Sequence, residues 1–159
     1  LVTRREHMMP LHTAKEEMLN YGEHVDTLIA LHHRTVDALA GYAKMVEKAE
    51  PSFRPVAEEF RSLHTTQAQR MEHILADLGE EIDPDGTFMG TVNAAVVSVR
   101  AMFDAIDEGV MGNIRNGEDS VLGAFDDAIA ASPDPTTTAA LIDMRSALTS
   151  LLDRTRLLD

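Results

Sequence analysis

An all-helical bundle of four helices with one long crossover is the fold class this sequence predicts. Three observations predict it. Apolar residues recur in alternating steps of three and four through four separate stretches. No segment alternates with period two over a useful length, so strands find no support. The chain also has no Trp, only 4% aromatic residues and 9 Met, a composition that suits helix packing better than a sheet sandwich.

The first stretch reads Met18, Tyr21, Val25, Leu28, His32, Thr35, Leu39, Tyr42, Val46, and predicts a helix over about 17–49. Residues 1–16 read as an N-terminal arm, and 17–159 as the bundle. Glu50-Pro51-Ser52 breaks the pattern, and Ser52 is a suitable N-cap for a second helix over 52–79. Its seam is Phe53, Ala57, Phe60, His64, Gln67, Met71, Ile74, Leu78, and Gly79 is placed to end it in the left-handed conformation. After the turn Asp83-Pro84-Asp85-Gly86-Thr87, residues 88–104 predict an extra short amphipathic helix, on the order of 25 Å long. A third helix over 106–131 carries Met111, Ile114, Glu118, Val121, Phe125 and Ala128. Ser132-Pro133-Asp134-Pro135 ends it and starts a fourth over 135–158, with Asp134 as N-cap and Pro135 at the first position.

Helices one–two and three–four are joined by tight turns and so form antiparallel hairpins. The 80–105 connection is long enough to climb the bundle and start helix three where helix two began. A bundle with one such crossover has the ferritin-like topology; the rival is a simple up-down bundle with a folded-back loop helix.

Charge and composition exclude several function classes. Lys and Arg total 14 against 27 Asp and Glu, a net charge of −13, which argues against a grip on nucleic acid. With no Cys, thiolate metal sites and cysteine nucleophiles are excluded. The most apolar segment, residues 94–106, is broken by Arg100 and Asp104 and falls short of the roughly 20 residues a membrane span needs. No h-region is visible in residues 1–16, and the chain reads as cytoplasmic. No P-loop, G-x-G-x-x-G or H-E-x-x-H string is present.

The chemistry-bearing residues are those that interrupt the apolar seams. Pairing about the 49–52 turn sets Val46 against Phe53 and Leu39 against Phe60. The same register brings Thr35 level with His64 and His32 level with Gln67. With helix three parallel to helix two, Glu118 joins them, and Arg145 on helix four comes within reach of its carboxylate. The first reading is a polar core layer, with Thr35, Gln67 and Arg145 helping to satisfy His32, His64 and Glu118 and to fix helix register. The second is a metal site on His32, His64 and Glu118 for a single Fe, Mn or Zn ion. No cofactor is expected on the first reading.

Several strings resemble a bacterial ferritin-like domain family of unknown function. They are Ala38-Leu39-Ala40-Gly41-Tyr42, Arg70-Met71-Glu72-His73-Ile74-Leu75, Gly79-Glu80-Glu81-Ile82-Asp83, Asn116-Gly117-Glu118-Asp119 with Phe125 downstream, and Leu152-Asp153-Arg154. The resemblance covers about residues 28–158 and implies a ferritin-like four-helix fold, with little established biochemistry. A standard di-iron centre needs Glu-x-x-His on two helices. The residues three before each His are Arg4, Met9, Tyr21, Ile29, Ala30, Arg61 and Arg70, none of them acidic, so that centre is rejected. The resulting expectation is a binding or structural module that self-associates, as a homodimer, through an exposed bundle face with the arm as a clasp. The alternative is a metal-handling or redox-stress protein using the single-ion site.

Overall fold

The computed structural model describes residues 11–80 and 110–158. They form four α-helices and a terminal 3-10 turn, with no strand among the described residues. Helix α1 is Leu11–Lys48, α2 Arg54–Asp77, α3 Met111–Ala131 and α4 Pro135–Arg154, followed by the turn Arg156–Leu158. No helix of the described residues is long and apolar enough to cross a membrane. The expected helix over 88–104 and most of the expected crossover lie outside the described residues, as does the arm before Leu11.

Each boundary has a local cause. Asp134 caps α4 as expected, its carboxylate accepting from the backbone N–H of Thr136 and of Thr137 at 3.3 and 3.2 Å. Gly79, at φ +83°, ends α2 in a Schellman turn, with Gly79 N–H on Ala76 O and Glu80 N–H on Leu75 O. Ser52 does not cap α2: the helix begins after Phe53, without a side-chain cap. Phe53 is instead drawn into the core, and Arg54 turns back to α1, donating to Val46 O and Ala49 O. That places a cation where the α1 carbonyls are left open.

Helix α1 starts at Leu11, so residues 11–16 belong to it and not to an arm. Positions 14–21 are all exposed, and burial begins only at His24 and Val25. Met18 and Tyr21, the first two residues of the expected seam, therefore lie outside the core. The strong helix formers Ala14, Lys15, Glu16, Glu17, Met18 and Leu19 continue the helix by propensity.

Cross-helix contacts fix the topology. His32–Glu72 and Thr35–Met71 make α1 and α2 antiparallel. Gln67–Met144 and Glu59–Arg154 do the same for α2 and α4, and Asp126–Arg145 with Arg115–Thr155 for α3 and α4. Helices α2 and α3 are therefore parallel, at diagonal corners, with α1 and α4 each packed against both. Glu80 and Val110 consequently lie at opposite ends of the bundle, which rules out an up-down-up-down order. Phe53, Phe60 and Phe125 fill the interior with Leu28, Leu31, Met71, Leu75, Met111, Leu141, Leu148 and Leu151, all essentially without exposure.

Candidate functional site

The centre of the bundle holds a polar cluster built from three helices. Glu118 of α3 is 1% exposed and His64 of α2 is fully buried. Nε2 of His64 lies 2.6 Å from Oε1 of Glu118, and the Tyr42 hydroxyl of α1 donates to the same oxygen. The Tyr42 ring is near-parallel to two rings of α2, Phe60 at 5.0 Å and His64 at 5.4 Å between centroids. Because Phe60 and His64 are four residues apart on one helix, they share a face, and the tyrosine lies against both.

A carboxylate this deep is tolerable only when hydrogen-bonded. Two donors converge on Oε1, whereas Oε2 has no protein partner, and neither has Nδ1 of His64. Burial pushes the Tyr42 hydroxyl well above its ordinary range, and the charge and hydrogen bond of Glu118 push it further. Tyr42 therefore keeps its proton and acts as a donor at any ordinary pH.

The other predicted site residues fall into separate contacts. His32 is buried, but its Nε2 meets Oε1 of Glu72 at 3.1 Å, not Glu118. Thr35 donates to Leu31 O on its own helix and approaches the Met71 sulfur at 3.9 Å. Gln67 reaches across to α4 and donates to Met144 O at 2.7 Å, leaving its own Oε1 unpartnered. Arg145 lies at the surface, paired with Asp126 at 2.8 Å and not with Glu118.

The structure thus brings His64 and Glu118 together and sets His32 at another height. The reason is register. His64 faces Tyr42 and not Thr35, and Met71 faces Thr35, a shift of one heptad from the expected pairing. Helix α1 ends at Lys48 and α2 begins only at Arg54, so the symmetry point of the hairpin falls later than position 50. Tyr42 and His32 are then separated by ten residues of one helix, about 15 Å along its axis. Among the described residues no three His, Asp or Glu side chains gather as metal donors.

Two members of the clusters were missed in the sequence. Tyr42 sits in the α1 seam, where its ring reads as core, and only the corrected register exposes its hydroxyl as the partner of Glu118. Glu72 flanks the seam residue Met71 and carries no periodic signal of its own. A further buried imidazole, His24, lies near the N-cap of α4, with its Nδ1 unpartnered. Burial lowers its pKa, and the Asp134 carboxylate raises it by a smaller amount.

Between α1 and α3 a groove of about 310 Å³ runs down to this cluster, with Tyr42 and Glu118 as its floor. Its walls include the small residues Ala38, Gly41 and Gly117, and its mouth carries Arg34, Asp37, Asn113 and Ser120.

Fold and site together define a helical four-helix protein with a tyrosine–histidine–glutamate cluster at its core. The chain belongs to the family described as Domain of unknown function (DUF2383), whose model matches residues 23–131. That match spans Tyr42, His64 and Glu118 but stops at the end of α3. No curated protein and no solved structure matches the chain.

Proposed function

We propose that this protein is a cytoplasmic, ferritin-like binding module that self-associates as a homodimer, its polar cluster fixing helix register rather than performing a reaction. Parallel α2 and α3 on a diagonal support the ferritin-like assignment. The observation that carries self-association is the N-terminal overhang of α1. Tyr21 donates to Leu78 O at 2.6 Å, level with the end of α2, so Leu11–Asn20 run beyond that helix. On and beside this overhang Met18 is 76% exposed, Leu19 63% and Tyr21 45%. An exposed helical stretch this short is marginal in water by itself, and laying its apolar side chains against a second copy stabilises it.

Light scattering coupled to size exclusion, run over a wide concentration range, tests this. The parent chain is expected to pass from monomer to dimer as concentration rises. The variant carrying Met18→Glu and Leu19→Glu is expected to stay monomeric with an unchanged melting temperature. A parent chain that is monomeric at every concentration refutes the reading.

A second reading, a single Fe, Mn or Zn ion at the core, has one specific observation in its favour: His64 Nδ1 and Glu118 Oε2 are buried without protein partners. Metal analysis of untagged protein decides it. Stoichiometric metal in the parent, lost in His64→Ala, supports the ion; metal-free protein of full stability ends it.

A further inference from the structure

Helix α1 is 38 residues long, and Ala30 stands at its middle. Around Ala30 the outward side of the helix is symmetric. Steps of four, seven and eleven residues in both directions reach Asp26 and Arg34, Glu23 and Asp37, Leu19 and Gly41. With 3.6 residues per turn, these positions and Ala30 share one side of α1, within an arc of about 80°. Leu19, Glu23, Asp26, Ala30, Arg34 and Asp37 are exposed, and Gly41 is half-buried. Charge is divided along the same helix. Residues 11–29 carry the acids Glu16, Glu17, Glu23 and Asp26 against Lys15 alone, whereas residues 30–48 carry Arg34, Lys44 and Lys48 against Asp37 and Glu47.

We propose that the second copy docks on this side of α1 with its own α1 antiparallel, the two helices meeting at Ala30 on a two-fold axis. This arrangement rests on the self-association proposed above and adds the surface that the overhang meets. A two-fold contact is self-complementary, so every pair off the axis occurs twice. Asp26 then faces Arg34 of the second copy, and the acidic half of one helix lies along the basic half of the other. A parallel pair would instead set Asp26 against Asp26 and Arg34 against Arg34, a repulsive match. Neither Asp26 nor Arg34 has an ion-pair partner among the described residues. The pair Glu23–Asp37 is like-charged, and Arg34, three residues from Asp37 on one helix, offsets it.

Shape agrees with charge. The small side chain of Ala30 at the meeting point lets the two helices approach closely. Leu19 of the overhang, 63% exposed, faces Gly41, a large side chain against the smallest, beside the α1–α3 groove that Gly41 lines. Helix length fits as well. Residues 11–20 of one copy lie alongside residues 40–49 of the other, so each overhang ends close to the end of its partner's α1, at Lys48.

Charge reversal read by light scattering over a concentration series tests the arrangement. Asp26→Arg and Arg34→Asp each set like charges face to face at two places, and each is expected to raise the dimer Kd at least tenfold. The double variant restores the pair with its signs exchanged, and its Kd is expected to return to within about threefold of the parent. The chain has no Cys, so single cysteines give a readout without background. Treated with a short bis-maleimide, Ala30→Cys is expected to link into dimers, and Ser146→Cys, exposed on α4, is not. A dimeric parent whose Ala30→Cys variant links no better than Ser146→Cys, or whose double charge variant is not rescued, overturns this arrangement and leaves self-association standing. A parent that never dimerises removes both.

Discussion

Replacing Tyr42 by Phe isolates one interaction of the core cluster. The substitution deletes a single oxygen and leaves the ring, and so its stacking on Phe60 and His64, in place. What disappears is a buried hydrogen bond to a carboxylate that is 1% exposed. Hydrogen bonds to charged groups contribute about 1.5–3 kcal/mol, roughly twice a neutral pair. Glu118 keeps His64 as a donor, so the loss should fall at the lower end, about 2 kcal/mol. For a chain of 159 residues that corresponds to a fall in melting temperature of about 4–8 °C. Urea melts of Tyr42→Phe, Glu118→Gln and the double variant form a cycle, and an interaction energy of about 1 kcal/mol or more is expected, since both residues share one bond. A Tyr42→Phe protein as stable as its parent, or strict additivity in the cycle, would refute the idea that the hydroxyl satisfies the buried acid.

Three further outcomes follow from named residues. His24 is buried with its pKa lowered, so the unfolded chain takes up a proton that the folded one resists. Its neutral form is tolerated above the ordinary histidine range, and stability should fall as pH drops below about 6.5; urea midpoints at pH 7.5 and 5 should show a smaller difference in His24→Gln. Phe125→Ala, in a fully buried position on α3, should cost about 3–5 kcal/mol in the same assay. Two glycines should respond with opposite sign to alanine. Gly79→Ala, at φ +83°, should destabilise by about 1 kcal/mol, whereas Gly117→Ala, in a helix and meeting no neighbour, should stabilise by up to about 1 kcal/mol.

The helices were legible because their signals are local. The seam from Phe53 to Leu78 and the Gly79 stop need only neighbours in sequence, and the Asp134 cap needs only the next three residues. The polar interruptions were legible too: His32, Thr35, His64, Gln67 and Glu118 are all buried. Their partners were not, because partnership depends on how far one helix slides along another. A heptad of slippage keeps every seam residue inward while exchanging every neighbour, so apolar spacing alone carries no penalty for the wrong choice. Tyr42 shows the cost: it is inward in both registers, but only one of them brings its hydroxyl to Glu118. The extension of α1 to Leu11 escaped for a different reason: its positions from Ala14 onward are exposed, so burial leaves no stripe there to mark the helix.

That unpacked extension should also divide α1 into two regimes of amide exchange. From His24 onward the backbone is shielded by packed side chains, and exchange there should wait for opening of the whole bundle. Positions 14–20 are exposed, and among the described residues only their own helical turns hold them, so their amide protons should be replaced by deuterium orders of magnitude sooner in dilute solution. If two copies meet at this stretch, its exchange should slow as the protein is concentrated, and the amides between Ala14 and Tyr21 become a built-in gauge of how much dimer is present.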